Sequence, residues 1–263
     1  MIDVHDVTFA YPNQELLFKN FHWQVTKGET WALLGPSGCG KSTLLTLLAG
    51  LIPPNKGEIW IDGKYLTRPR PRTGLILQDY GLLPWATVEE NIALGLKIRR
   101  LYGPDGQHAP LNTHPDHQAS HSTYWLKRLG LEALAKKYPR QLSGGQRQRT
   151  AIARTLILEP DLLLMDEPFA SLDAPTRESL QELTLTLCAE KKLTILMVTH
   201  AIEEAAFMGQ KILLMDAYPV QKAHIIDNPH LADTAYRRSP AYQSTCTLLR
   251  ANMERTRDNE PKF

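Results

Sequence analysis

Cysteine is scarce: the 263-residue chain has three, Cys39, Cys188 and Cys246, an odd number with no framework spacing. That excludes a disulfide scaffold and points to a reducing compartment. No apolar run approaches the ~20 residues of a membrane span. The start Met1-Ile2-Asp3-Val4-His5-Asp6 lacks the basic and apolar blocks of a signal peptide. The expectation is a cytoplasmic protein that reaches a membrane only through a partner. A charge excess is missing too, with 30 Lys and Arg against 28 Asp and Glu, so no global field marks nucleic acid or anionic lipid as the main partner. The local run Arg68, Arg70, Arg72, spaced by Pro69 and Pro71, reads as a solvated loop. Solenoid repeats and low-complexity tracts are absent.

What is present is a phosphate-binding loop, Gly35-Pro36-Ser37-Gly38-Cys39-Gly40-Lys41-Ser42-Thr43. It lies between the apolar run Thr30 to Leu34 and a helical stretch, Thr43 to Leu51, which is the context the chemistry needs. Glycines let successive backbone N–H groups turn inward around phosphates, and the following helix presents its positive end to the same anion. Lys41 adds a mobile charge. A nucleoside triphosphate is therefore the expected ligand. Cys39, beside the helix end and Lys41, is expected to favour the thiolate and to react with alkylating reagents unless nucleotide protects it.

Residues 2 to 34 read as short strands with turns at Tyr11-Pro12-Asn13 and Lys27-Gly28-Glu29, and Gly57 to Gly63 reads as a hairpin strand, giving an antiparallel lobe. Leu75 to Leu77, Leu162 to Met165 and Thr194 to Val198 are short continuous apolar runs, the pattern of strands buried on both faces of a parallel sheet. Thr87-Val88-Glu89-Glu90 is a capping box opening a mostly helical insertion. The fold class is α/β: a mainly parallel core sheet flanked by helices, with an N-terminal antiparallel β lobe and a helical lobe. The catalytic domain is placed at 1–230, its helical lobe at about 86–158, and a short helical, polar tail at 231–263.

The run Leu162 to Met165 ends in Asp166-Glu167-Pro168, two carboxylates at the carboxyl end of a buried strand, where open α/β sheets bind ligands. Asp166 suits Mg²⁺, with Ser42 as the other protein ligand, and Glu167 can polarise an attacking water. Leu142-Ser143-Gly144-Gly145-Gln146 precedes a strong helix and forms a second glycine-flanked helix start with a hydroxyl available to an anion. Read alone, Tyr11 is a lobe aromatic, His200 a strand-end histidine, and Ser143 an ordinary helix cap.

In order and spacing over residues 1 to about 215, these motifs together resemble the ABC transporter ATPases: Tyr11, the loop through Lys41 and Ser42, Gln78, Leu142 to Gln146, Asp166-Glu167, Ser171-Leu172-Asp173 and His200. The resemblance implies a P-loop fold of ABC type, with ATP and Mg²⁺ as cofactors. It also implies a head-to-tail dimer in which Ser143, Gly144, Gly145 and Gln146 of one subunit cover the γ-phosphate held by Lys41 of the other. By the same mapping Tyr11 stacks on adenine, Gln78 senses γ-phosphate and Mg²⁺, Asp173 lies at the dimer seam and His200 contacts γ-phosphate. Gln78 to Trp85 followed by Thr87 to Asn91 looks like the importer subgroup for nitrate, aliphatic sulfonates, taurine and thiamine precursors. Its segment near Gln78 to Trp85 then faces integral membrane permease subunits, with a solute-binding protein as indirect partner and the cytoplasmic face of the cell membrane as location. Rival readings are a soluble ABC ATPase acting on nucleic acid or ribosomes, an exporter ATPase, and a small-molecule kinase.

The chain departs from that pattern in three places. Ala201 stands where the family commonly has an acidic residue after the switch histidine. The tail after about 216 is too short for a large regulatory domain. Between Leu101 and Ser122 an extended loop holds His108, His114, His117 and His121, of which His117 and His121 are spaced i, i+4, able to hold a metal on a helix opened by Pro115. The loop reads as a solvated polar insertion, with a metal or pH-sensing site as the alternative.

Overall fold

A computed structural model describes residues 1–112, 118–215, 219–228 and 235–258. The chain divides into two compact units, residues 1–69 with 184–263, and residues 70–183.

The first unit contains two sheets. In the antiparallel one, β1 (Ile2–Phe9) lies between β2 (Phe18–Val25) and β4 (Lys56–Ile61), and β5 (Lys64–Tyr65) closes a hairpin on β4. The hairpin turn is Asp62-Gly63, with φ of 54 and 73, the paired positive values of a tight turn that matches strand twist. In the second sheet β3 (Thr30–Leu34) runs parallel to both β8 (Thr194–Thr199) and β9 (Lys211–Leu214), and β10 (His224–Asp227) pairs antiparallel on β9. Every residue of β3 and β8 is buried, as the continuous apolar runs require. Helices α1 (Lys41–Leu48), α6 (Ile202–Met208) and α7 (Pro240–Asp258) belong to this unit.

The second unit carries the parallel pair β6 (Thr73–Ile76) and β7 (Leu162–Asp166), with α2 (Val88–Tyr102), α3 (Gln118–Arg128) and α4 (Gly144–Leu156) between them in sequence. Along α5 (Ala174–Lys191) the chain returns to the first unit. Leu162 to Met165 are fully buried, each contributing about 1.5–3 kcal/mol relative to exposure. The first run is shorter than its apolar pattern: β6 stops at Ile76, and Leu77 is 46% exposed. Leu77 instead opens the turn that carries Gln78, its carbonyl accepting from Tyr80 N–H at 2.9 Å.

One local expectation turns out differently for a tertiary reason. Arg70 is not solvated: its guanidinium makes two hydrogen bonds to Asp161, at 3.0 and 3.1 Å, and Arg72 reaches the same carboxylate. The proline-spaced segment thus bonds to the residue that precedes β7. In the extended loop, His108 bonds Asp105 at 2.7 Å and stacks on Tyr102 with ring centroids 4.1 Å apart. The histidine is engaged by its own loop. His114, Pro115 and His117 lie outside the described residues, and among the described ones no group of three His, Cys, Asp or Glu could hold a metal. No described helix is long and apolar enough to cross a membrane.

Candidate functional site

In the first unit Leu34 of β3 stands opposite Thr199 of β8, so the segments leaving their carboxyl ends, the Gly35 loop and His200, begin side by side. Gly35 is required by close approach, because a Cβ there would lie 2.3 Å from the Met215 carbonyl oxygen. Gly38 and Gly40 take φ of 85 and 96, where side chains are strained. Gly40 precedes α1 without any side-chain cap, so the first-turn N–H groups of Lys41, Ser42 and Thr43 face the loop with the positive end of the helix dipole. Lys41, 5% exposed, donates from Nζ to the Gly35 carbonyl at 2.8 Å and to the Pro36 carbonyl at 2.6 Å. Cation, backbone donors and concave glycine loop together fit a polyphosphate. Tyr11 reaches this helix through its phenol, 3.3 Å from Thr43 Oγ1, and its ring is edge-on to Phe9.

Cys39 corrects the sequence reading. Its side chain is buried, and burial pushes the thiol above its ordinary value, outweighing the pull of Lys41, whose Nζ is 3.7 Å from Sγ. The sulfur fills the loop from beneath rather than facing a reagent. Cys188 and Cys246 are buried as well. A thiol titration of the native chain at pH 8 is therefore expected to consume almost no reagent over minutes, and denatured chain all three equivalents. Rapid loss of one native thiol, assigned to Cys39 by mass spectrometry, would restore the reactive-thiolate reading.

His200 is exposed at the end of β8. Ala201 caps α6 with no side-chain bond, as its sequence implies. Order in this segment comes from elsewhere: Thr199 Oγ1 accepts from Ala201 N–H at 3.0 Å and donates to Glu204 at 2.6 Å, with Glu204 buried in the first turn of α6. Sequence reading missed Glu204, whose glutamate lies four residues past the histidine on an otherwise ordinary helix.

In the second unit Ile76 of β6 stands opposite Met165 of β7, which places the Gln78 turn and Asp166-Glu167 at neighbouring strand ends. Gln78 Nε2 donates to Glu167 Oε2 at 3.4 Å, so two of the predicted residues meet. Asp166 closes β7, and Glu167 holds φ of 44, an uncommon conformation for a side-chain-bearing residue. Ser143 and Gln146 form a full capping box on α4: Oγ accepts from Gln146 N–H at 3.3 Å and Gln146 Oε1 accepts from Ser143 N–H at 3.0 Å. A serine hydroxyl that accepts in a cap still carries its own proton, so the cap and an anion contact are compatible. Gly145 is a packing glycine, since a Cβ would lie 2.5 Å from Thr176 Cγ2. Asp173 is exposed and accepts from Thr176 N–H at 3.1 Å at the start of α5, a bond that holds its carboxyl below the usual range. Arg154 of α4, unforeseen from sequence, donates to the carbonyls of Tyr80 and Gly81 at 2.8 and 2.6 Å.

Comparison with known proteins shows the family. The sequence model described as ABC transporter matches residues 18–170, more than half the chain. The aliphatic sulfonates import ATP-binding protein SsuB of Bacillus thuringiensis subsp. konkukian (strain 97-27) is 40% identical over 228 residues, covering 87% of this chain and 83% of that protein. The taurine import ATP-binding protein TauB of Shigella boydii serotype 4 (strain Sb227) is 44% identical over 192 residues, covering 73% and 71%. Among solved structures, a dimeric post-hydrolysis state of the ATP-binding cassette MJ0796 bound to ADP and Pi superposes with a TM-score of 0.71 at 29% identity, covering 86% of this chain and 98% of that one. The cbiO1 protein of Clostridium perfringens, part of the ABC transporter complex cbiONQ, gives a TM-score of 0.72 at 27% identity, covering 87% and 88%.

Proposed function

The chain belongs to the ABC transporter family, and from that premise we propose that it is the ATP-hydrolysing subunit of an importer for a small solute, of the sulfonate and taurine kind. The observation that carries this reading is the pairing of motifs at strand ends: the Gly35 to Thr43 loop beside His200, and Gln78 beside Glu167. We read residues 1–230 as the ATPase domain, with 231–263 as its tail.

In the proposed reaction the loop from Gly35 to Thr43 binds the triphosphate, with Lys41 moving its ammonium from loop carbonyls to phosphate oxygens. Tyr11 stacks on the base. Glu167 polarises the attacking water, and Gln78, 3.4 Å away, orients it. His200 and, from a second copy, Ser143, Gly144, Gly145 and Gln146 neutralise charge on the γ-phosphate, with Asp173 at the seam. By the family resemblance Ser42, Asp166 and Gln78 are the proposed oxygen donors for Mg²⁺, which when bound would offset the phosphate charge. Phosphoryl transfer needs little beyond such positioning. The second glycine-flanked helix start supports the two-copy site over a kinase reading.

The permease contact is proposed for the segment ending at Trp85. Buried Asn91 holds this segment: its Nδ2 donates to the carbonyls of Leu83 and Ala86 at 3.1 and 3.0 Å, and its Oδ1 accepts from Leu83 N–H at 2.8 Å. From this hydrogen-bonded frame Trp85 stands 73% exposed, which supports a partner contact over core packing. The chain would then sit on the cytoplasmic face of the membrane through its partners. Trp85→Ala is expected to reduce co-purification with the permease, and solute uptake, by roughly tenfold or more, the loss typical of a central aromatic anchor. ATP binding by the isolated chain should stay within twofold. Normal assembly would contradict the contact, and uptake assays with taurine and an alkanesulfonate would test the solute class.

A further inference from the structure

Tyr80 takes φ of 66, a costly conformation for an aromatic residue, and is 6% exposed. Its phenol lies 2.6 Å from Ser171 Oγ. Its carbonyl, with that of Gly81, is held by Arg154, and the Arg147 guanidinium sits 5.8 Å over its ring. A Cβ on Gly144 would come within 3.9 Å of the phenol oxygen. One side chain therefore touches the turn of Gln78, the start of α4 and the segment between Glu167 and Asp173.

The Gln78 to Glu167 hydrogen bond, at 3.4 Å and partly exposed, is too long and too wet to fix its own geometry. The Tyr80 to Ser171 bond is short and better shielded. Leu77 to Tyr80 form one turn closed by a 2.9 Å backbone bond, and Glu167 to Leu172 are joined by successive turns at 3.3 and 3.2 Å. A bond between the ends of these two turns sets the distance between their functional side chains.

We propose that Tyr80 is a positioning residue for hydrolysis, its hydroxyl bonded to Ser171 holding the Gln78 turn in register with Glu167. The proposal rests on the ATPase reading of Gln78 and Glu167. Tyr80→Phe keeps the ring and its packing and removes only the hydroxyl, and Ser171→Ala removes the partner at an exposed position.

The test is steady-state phosphate release by the purified full chain. Each single variant is expected to lower kcat about three- to tenfold, the worth of one neutral hydrogen bond, with KM for ATP within twofold of wild type. The double variant should be no slower than the slower single one, because both changes remove the same bond. Ser171→Thr, which keeps a hydroxyl, should restore most of kcat. If Tyr80→Phe fails to fold, Ser171→Ala and Ser171→Thr carry the test alone. Wild-type kcat in the single variants, effects that multiply in the double variant, or a rise in KM at constant kcat would overturn the proposal. A melting-temperature change without a kcat change would also overturn it, by making the bond merely structural. A wild-type chain that binds ATP and releases no phosphate would instead remove the ATPase reading, and this proposal with it.

Discussion

Glu167→Gln is expected to reduce phosphate release by ~10²–10³-fold while ATP binding stays close to wild type. The side chain follows the last residue of β7 in a strained backbone conformation, half-buried, with Gln78 Nε2 at 3.4 Å. Glutamine keeps the shape and one carbonyl oxygen that can accept from Gln78, so the local hydrogen bonding survives. What disappears is the charge proposed to polarise the water. In the proposed reaction binding is carried by Lys41 and the backbone of the Gly35 loop, which the substitution does not touch. Phosphate release in single-turnover conditions, beside ATP affinity by fluorescence titration, checks both halves. Hydrolysis at the wild-type rate would show that Glu167 is not the base.

Lys41→Ala should act earlier, on binding. The ammonium is nearly buried and makes two charge-assisted bonds to loop carbonyls at 2.8 and 2.6 Å, so it already sits where phosphate oxygens would take over. Losing one such bond to a charged group costs ~1.5–3 kcal/mol, or about ten- to a hundredfold in ATP affinity. Hydrolysis should fall by ~10³-fold or more, since the lost charge also stabilises the transition state. Some stability should be lost as well, because the bond to the Gly35 carbonyl is buried and its acceptor loses a donor. Isothermal titration and phosphate release separate the two effects, and unchanged affinity would place the triphosphate elsewhere.

Much of this architecture was legible because its causes are local. The loop at Gly35 to Thr43 is readable from glycines that must take positive φ and a lysine at fixed offset. The box at Thr87 is readable from residues three apart that cap each other, and Ser143 from its place as a cap before α4. Buried parallel strands announce themselves as continuous apolar runs, although the limit of β6 depended on Leu77 being taken into a turn. What stayed hidden depends on neighbours far along the chain. Arg70 meets Asp161 across 91 residues, and Tyr80 meets Ser171 across the same separation. Cys39 was misread because its local field, a lysine and a helix end, argues for a thiolate, while burial beneath the loop argues more strongly against it. Local charge was visible in the sequence; local dryness was not.

The central claim, a nucleotide site completed by a second copy of the chain, is tested most directly by the molar mass of Glu167→Gln in size-exclusion chromatography with light scattering. With ATP and Mg²⁺ the 29.7 kDa chain is expected to double in mass, and to return to monomer without nucleotide. Wild type should be mainly monomeric, because cleaving the γ-phosphate removes the anion that Ser143 and Gly145 would grip. Adding Ser143→Arg to Glu167→Gln should block doubling while ATP still binds. An inactive Glu167→Gln chain that binds ATP and remains monomeric at all accessible concentrations would contradict the composite site.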